Sequence, residues 1–475
     1  MFADFAISQV VRFGSNVLFA WLLYKEAFGL MMLVNIVTQG LQMMSDIGLG
    51  PSVVQNKNGG DLRYLGVAFT LQWLRSMFLA ALCLVITWPV AAHYAESDPL
   101  AWRLLELLPW ASISLVVGGF MSPRALLAQR NLETGRMVFM NLVSQGVAVL
   151  TIATFAIIET DVSALVYGNI AGATARTALS YLVLRGPWIP PVWDPLIARE
   201  LARFGGWIFV STFATFFAQQ IDRLMFAGRF DMGVTGEFHA AGSLVLLLPT
   251  LLGSMQMAVA FPAYSRIRAA GGSVKPVLQS FKVPILGALA APMIALVSGG
   301  PELVGFLYDD RWVGAGWMVS VMAVGVWFSA LDSTYGAGLL AVGAPRWIAF
   351  ANAVRPLAFL SVWSLAGDAL CIEHVVLATV LSDLARSLVS LVGAAQLGIL
   401  TPWVDLRLTV RVGVLGTICW YTCHHLRTGG VAPWWVVLAI AGAVPLATQW
   451  GSVAKCAGMV LRRGEATAPA DRSRA

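Results

Sequence analysis

RFGSNVLFAWLLYKEAFGLMMLVNIVTQGLQMMSDIGLGPSVVQ runs from Arg12 to Gln55, two apolar stretches joined by the short polar turn Tyr24-Lys25-Glu26. Wound as helices at 1.5 Å per residue, each stretch is long enough to cross about 30 Å of hydrocarbon. The reading is a transmembrane hairpin. Arg12, Asn16, Gln39, Gln42 and Asp46 fall inside its spans. An unpaired polar group is costly in hydrocarbon, so these residues are expected to face protein or a water-filled cavity.

The rest of the chain repeats this character. Its 475 residues are 58% hydrophobic and 12% charged, and its mean hydropathy is +0.75. That composition excludes a soluble protein of this size and defines an all-α polytopic membrane protein. The first apolar run is of spanning length and is followed at once by another, which is not the pattern of a cleavable signal peptide. Five scattered cysteines, Cys83, Cys371, Cys419, Cys423 and Cys456, argue against a disulfide framework.

Apolar runs predict about fourteen spans, near 2–23, 28–54, 66–91, 104–123, 137–158, 162–184, 205–227, 233–262, 281–300, 314–341, 346–367, 371–397, 408–425 and 432–452. The net charge of +6 is not a nucleic-acid signature, because its placement alternates. Connections after even-numbered spans hold bases such as Lys57, Arg63, Arg124, Arg130, Arg185 and Arg266, whereas the others hold acids such as Glu96, Asp98, Glu159, Asp161, Asp309 and Asp310. By the positive-inside rule both termini are cytoplasmic. All outward loops are short, which leaves no soluble domain to house an enzyme. There is also no Walker A loop and no glycine-rich fingerprint after a strand, so no nucleotide or other cofactor is expected.

The longest inward connection, Gly186 to Arg203, contains GPWIPPVWDP and reads as a stiff linker. The halves on either side look alike. A shift of 207 residues places Gly29 on Gly236, Leu71-Gln72-x-x-Arg75 on Leu278-Gln279-x-x-Lys282, and Ala81-Leu82 on Ala288-Leu289. The expected organisation is a six-helix lobe over 1–185, a cytoplasmic linker over 186–203, a second six-helix lobe over 204–398, accessory helices 13 and 14 over 399–453, and a cytoplasmic tail over 454–475. Six spans per repeat relate the lobes by a pseudo-two-fold axis along the membrane normal, with a central cavity between them.

Leu22-Leu23-x-x-Glu26-x-Phe28-Gly29-Leu30, followed by Ser45-Asp46-Ile47-Gly48-Leu49-Gly50-Pro51, resembles the start of bacterial polysaccharide transporters. These are the O-antigen and exopolysaccharide flippases of the multidrug/oligosaccharidyl-lipid/polysaccharide exporter superfamily. The resemblance covers spans 1 to 12. It implies translocation of an undecaprenyl-diphosphate-linked oligosaccharide across the bacterial inner membrane by alternating access, for surface polysaccharide biosynthesis. The partners implied are that lipid-linked oligosaccharide, membrane lipids, and a polysaccharide polymerase or export machinery. Such proteins carry a short basic leader before the first span, which implies a start upstream of Met1.

Charges buried in spans are the candidates for chemistry. Bases outnumber acids among them, so a shared cavity would be net positive and suited to a diphosphate, which the fork of an arginine binds well. The substrate-binding candidates are Arg12, Asn16, Arg75, Arg176, Arg223, Lys282 and Arg355. The competing reading for Arg75 and Lys282 is snorkelling to the cytoplasmic headgroups. Asp332, amid Ser329, Ser333, Thr334 and Tyr335 with no base within a turn, reads as a proton or sodium site, or else as a structural carboxyl group; Asp222 is the second ion-coupling candidate. Asp383 and Arg386, three apart, are expected to pair on one helix face. Asp46 reads as part of a helix end. Trp73, Trp327 and Trp363 lie deep enough in spans to stack on sugars, and the Cys419/Cys423/His424/His425 cluster lacks matching ligands for a metal site. The alternatives to a flippase are an ion-coupled drug or metabolite exporter on the same scaffold, which predicts acids dominating the first lobe, and a membrane glycosyltransferase, ligase or polymerase, which needs larger outward loops.

Overall fold

The computed structural model describes residues 2–44, 49–131, 133–428 and 433–466. Asp46 lies outside them. In chain order the helices are α1 (Phe2–Leu22), α2 (Lys25–Met44), α3 (Leu49–Gln55), α4 (Leu62–Ala95), α5 (Leu104–Gly119), α6 (Arg124–Arg130), α7 (Thr134–Ile158), α8 (Ser163–Leu182) and α9 (Pro195–Ala227). They continue with α10 (Met232–Met255), α11 (Phe261–Ala269), α12 (Val274–Leu307), α13 (Val313–Ala341), α14 (Arg346–Ala366), α15 (Ile372–Gln396), α16 (Pro402–Thr428) and α17 (Trp434–Ala466).

Nine described helical segments are long and apolar enough to cross a membrane. The further helices α1, α2, α8, α9 and α16 are 21, 20, 20, 33 and 27 residues long. Prolines inside α4, α5, α10, α12, α14 and α17 are tolerated as in other membrane helices, where neighbours re-satisfy the freed carbonyls. Beyond Pro249, α10 passes through a π-helical turn, Gln256–Ala260, into α11.

Close contacts divide the chain into two units, 1–240 and 241–475. In the first, α3, α4 and α9 meet over Leu49, Val53, Tyr64, Leu65 and Leu201, with Ile189 of the proline-rich connection among them. That connection does not hang free. Val192 donates its backbone N–H to the Gly66 carbonyl, Thr70 bonds the Val192 carbonyl, and Arg63 pairs with Asp194 at 2.8 Å. Asp194 then caps α9, with Pro195 in its first turn, so the helix takes up residues 195–203 of the stretch expected to be linker. In the second unit the core joins Tyr264, Leu278, Tyr335, Leu339 and Ile399 from α11, α12, α13 and the α15–α16 connection.

One polar cluster ties the α1–α2 turn to the α7–α8 connection. Arg103 donates to both carboxylate oxygens of Asp161 at 2.5 and 2.9 Å, and Tyr24 and Ser163 donate to the same group. Burial works against the Asp161 carboxylate, and the Arg103 and Ser163 hydrogen bonds overcome it, holding its pKa well below the usual carboxylate range.

At the first turn of α2, Gly29 meets Gly236 of α10. A Cβ on Gly29 would sit 2.2 Å from the Met232 carbonyl oxygen, and one on Gly236 would sit 1.9 Å from that of Lys25. The contact is reciprocal: each glycine faces the carbonyl four residues before the other. Lys25 and Glu237 pair across it at 3.1 Å. Close approach of helix backbones through small residues is a general device for membrane packing. Gly236→Leu is expected to destabilise the protein by about 1–3 kcal/mol through overpacking, whereas Gly242→Leu, where a Cβ meets nothing within 4 Å, should be neutral. Thermal unfolding of the two purified variants checks this, and equal stability would refute it.

Candidate functional site

The polar positions of α1, α2, α4, α5, α7 and α8 turn toward one another and line an open cavity of about 870 Å³ within the first unit. Arg12 of α1, Arg75 of α4 and Arg176 of α8 line it, and no described lining residue is acidic. Neutral donors and acceptors fill the gaps between the guanidiniums, with Gln42, Gln72, Asn141, Gln145 and Asn169 among them. Small residues let the walls come together: a Cβ on Gly172 of α8 would meet the Ala148 side chain of α7 at 2.9 Å, and one on Gly119 would meet Ser76 at 2.4 Å.

Arg75 has a second task. It donates to the Gln42 carbonyl at 2.5 Å, tying the end of α2 to α4. Beside it, Gln72 bonds the Gly119 and Met121 carbonyls and so terminates α5. Asn16 lines a smaller adjoining cavity, of about 140 Å³, together with Asn35, Asn169 and His239. Asn169 belongs to both walls.

The other candidate residues lie elsewhere. Arg223 donates to Gln220 at 3.3 Å, and Gln220 in turn donates to Gln39 at 3.4 Å, a polar bridge between α9 and α2. The neighbouring Asp222 is buried and accepts from the Arg223 backbone N–H. Lys282 does not line the basic cavity and does not snorkel. Its side chain is completely buried, paired with Asp405 of α16, and hydrogen-bonded to Tyr335 of α13 and to Thr401. A buried ammonium needs such partners.

The second unit also rearranges the expected pairs. Asp332 does not stand alone: Arg386 of α15 pairs with it at 2.9 Å, and Ser390 donates to it at 2.6 Å. Asp383 pairs with Arg355 of α14 at 3.0 Å instead of with Arg386. Residues three apart on α15 thus reach different neighbours, because α15 is flanked by α13 and α14. Of the tryptophans expected deep in spans, Trp73 packs on Phe120, Trp363 packs on Phe359, and Trp327 donates to Thr409. None of these lines the basic cavity.

The chain is thus a polytopic helical protein with an arginine-lined cavity in its first unit. The fold is similar to that of the lipid II flippase MurJ in an inward closed conformation, with a TM-score of 0.72 at 14% identity, over 94% of this chain and 97% of that one. It is also similar to an inward-facing multidrug resistance MATE family transporter of the MOP superfamily, with a TM-score of 0.64 at 10% identity, over 85% and 95% of the two chains.

Residues 18–316 match the family described as polysaccharide biosynthesis protein, and the chain belongs to that family. It is 23% identical over 310 residues to the teichuronic acid biosynthesis protein TuaB of Bacillus subtilis (strain 168), an alignment covering 64% of this chain. The chain spans 62% of the length of that relative.

Proposed function

We propose that this protein is a flippase for undecaprenyl-diphosphate-linked oligosaccharide repeat units, moving them from the cytoplasmic to the periplasmic leaflet of the bacterial inner membrane for surface polysaccharide assembly. The observation that carries the reading is the cavity of about 870 Å³ with three arginines and no described acidic residue in its lining. A diphosphate would neutralise that field, and guanidinium forks match its oxygens. A cavity built for cationic drugs would need acids here, which disfavours the exporter alternative.

The mechanism proposed is alternating access between two six-helix lobes, 1–185 and 204–398, in a chain of fourteen spans with both termini cytoplasmic. Support for the pseudo-two-fold relation comes from Gly29 and Gly236, which the same 207-residue shift superposes and which meet reciprocally, as residues beside a two-fold axis do. A polymerase or export complex would take the product.

The test is lipid extraction and mass spectrometry from a strain lacking the protein and any redundant homologue, with surface polysaccharide assayed in parallel. Accumulated lipid-diphosphate oligosaccharide with loss of polymer supports the flippase. Unchanged lipids and normal polymer would transfer the proposal to a small-molecule exporter.

Ion coupling at Asp332 loses its motive once Arg386 neutralises the carboxylate. Asp332→Asn is therefore expected to transport with an undiminished response to collapse of the ion gradient; loss of that response would reinstate the site. Asp222 is the second candidate for such a role.

A further inference from the structure

We infer that the small cavity beside the arginines is a sugar subsite that holds the first, diphosphate-linked residue of the oligosaccharide; the inference rests on the flippase reading above. Its volume, about 140 Å³, is that of about five waters, the scale of one ring and not of a chain. Its polar lining is Asn16, Asn35, Asn169 and His239, with Phe19 and Phe28 among the apolar walls. None of the described lining residues is an acid, a lysine or an arginine. Carboxamides and imidazole offer both donors and acceptors, which is what ring hydroxyls and acetamido groups require and what a phosphate does not.

Two further observations point to a ligand. The Nδ1 atom of His239 is buried and has no hydrogen-bond partner among the described residues, although buried polar atoms are nearly always paired. Asn35 and Asn169 approach each other from α2 and α8, at 3.5 Å between amide nitrogen and oxygen, a separation at the long limit for a hydrogen bond. Because Asn169 lines both cavities, a ligand can have its anionic group among Arg12, Arg75 and Arg176 and its first ring among the amides without leaving the first unit. Phe19 and Phe28, each a buried residue in the lining, supply flat apolar surface for the C–H face of a ring.

The experiment compares binding of two water-soluble probes to the full-length protein in nanodiscs: farnesyl diphosphate, and farnesyl diphosphate bearing one hexose or one N-acetylhexosamine. Wild type should bind at least one glycosylated probe about tenfold or more tighter than farnesyl diphosphate, the gain of one or two hydrogen bonds. His239→Leu and Asn35→Leu, which line the small cavity alone, should each lose that increment and keep the affinity for farnesyl diphosphate. Retention of that affinity shows that the variants are folded, and Asn169→Leu, at the wall shared with the basic cavity, should lose the increment together with part of the affinity for farnesyl diphosphate. Arg176→Gln should weaken all probes alike. An increment that survives all three cavity substitutions, or no increment in wild type with farnesyl diphosphate still bound, overturns the subsite and leaves the flippase reading standing. Wild type that binds none of the probes overturns the flippase reading and the subsite with it.

Discussion

Asp405→Leu is expected to destabilise the protein by about 3–5 kcal/mol, the cost of leaving a buried charge without its partner. The charge is Lys282, whose side chain has no solvent exposure. It sits among Asp405, Thr401 and the Tyr335 hydroxyl, with its Nζ also 4.6 Å from the centre of the Tyr335 ring. Tyr335 donates to the other oxygen of Asp405. Four side chains from α12, α13 and the start of α16 thus form one satisfied network, and removing the carboxylate breaks several of its bonds at once. The check is thermal unfolding of the purified protein, followed by tryptophan fluorescence. Replacing both charges, Lys282→Met with Asp405→Leu, should recover most of the loss, because a buried ion pair exchanged for well-packed apolar groups is often neutral or better. A double variant as unstable as Asp405→Leu would show that the packing of α16, not the pairing, is at stake.

Such a network explains where reading the sequence succeeds and where it stops. Charges within apolar spans announce themselves, since hydrocarbon penalises them, and Arg12, Arg75 and Arg176 could be singled out without a structure. Their convergence on one cavity follows from six polar helix faces closing on each other. Partners far apart in the chain are another matter. Lys282 and Asp405 are 123 positions apart, as are none of the local pairs that helix spacing suggests. For Asp383 and Arg386 the i,i+3 rule names two residues that share a face, but that face meets α13 on one side and α14 on the other, where Asp332 and Arg355 wait. The neutral groups Asn35, Asn169 and His239 carry no charge to mark them and stayed invisible, and Gln72 showed only as part of the repeat. The start of α9 was legible in principle: Asp194-Pro195 is a capping residue followed by proline at the first helical position.

Arg176→Gln and Arg12→Gln are each expected to cut polysaccharide output about 10- to 150-fold while membrane levels of the protein stay normal. The range is that of a hydrogen-bonded charge, about 1.5–3 kcal/mol per lost contact, converted to an equilibrium factor. Both guanidiniums line the basic cavity, and glutamine keeps a polar side chain of similar reach, so the walls need not collapse. Lysine discriminates between a charge effect and a geometric one: it keeps the positive charge but not the planar fork, so Arg176→Lys should fall between wild type and Arg176→Gln. Arg75→Gln is the less informative variant, because the same side chain bonds the Gln42 carbonyl and its loss loosens α2 as well as the cavity. A fall in protein level is expected there and not in the other two. On the proposal that the three arginines act on one ligand, the Arg12/Arg176 double variant should lose less than the product of the single effects. Polymer at wild-type amounts from both single variants would remove the diphosphate from this cavity, and with it the reason for its charge.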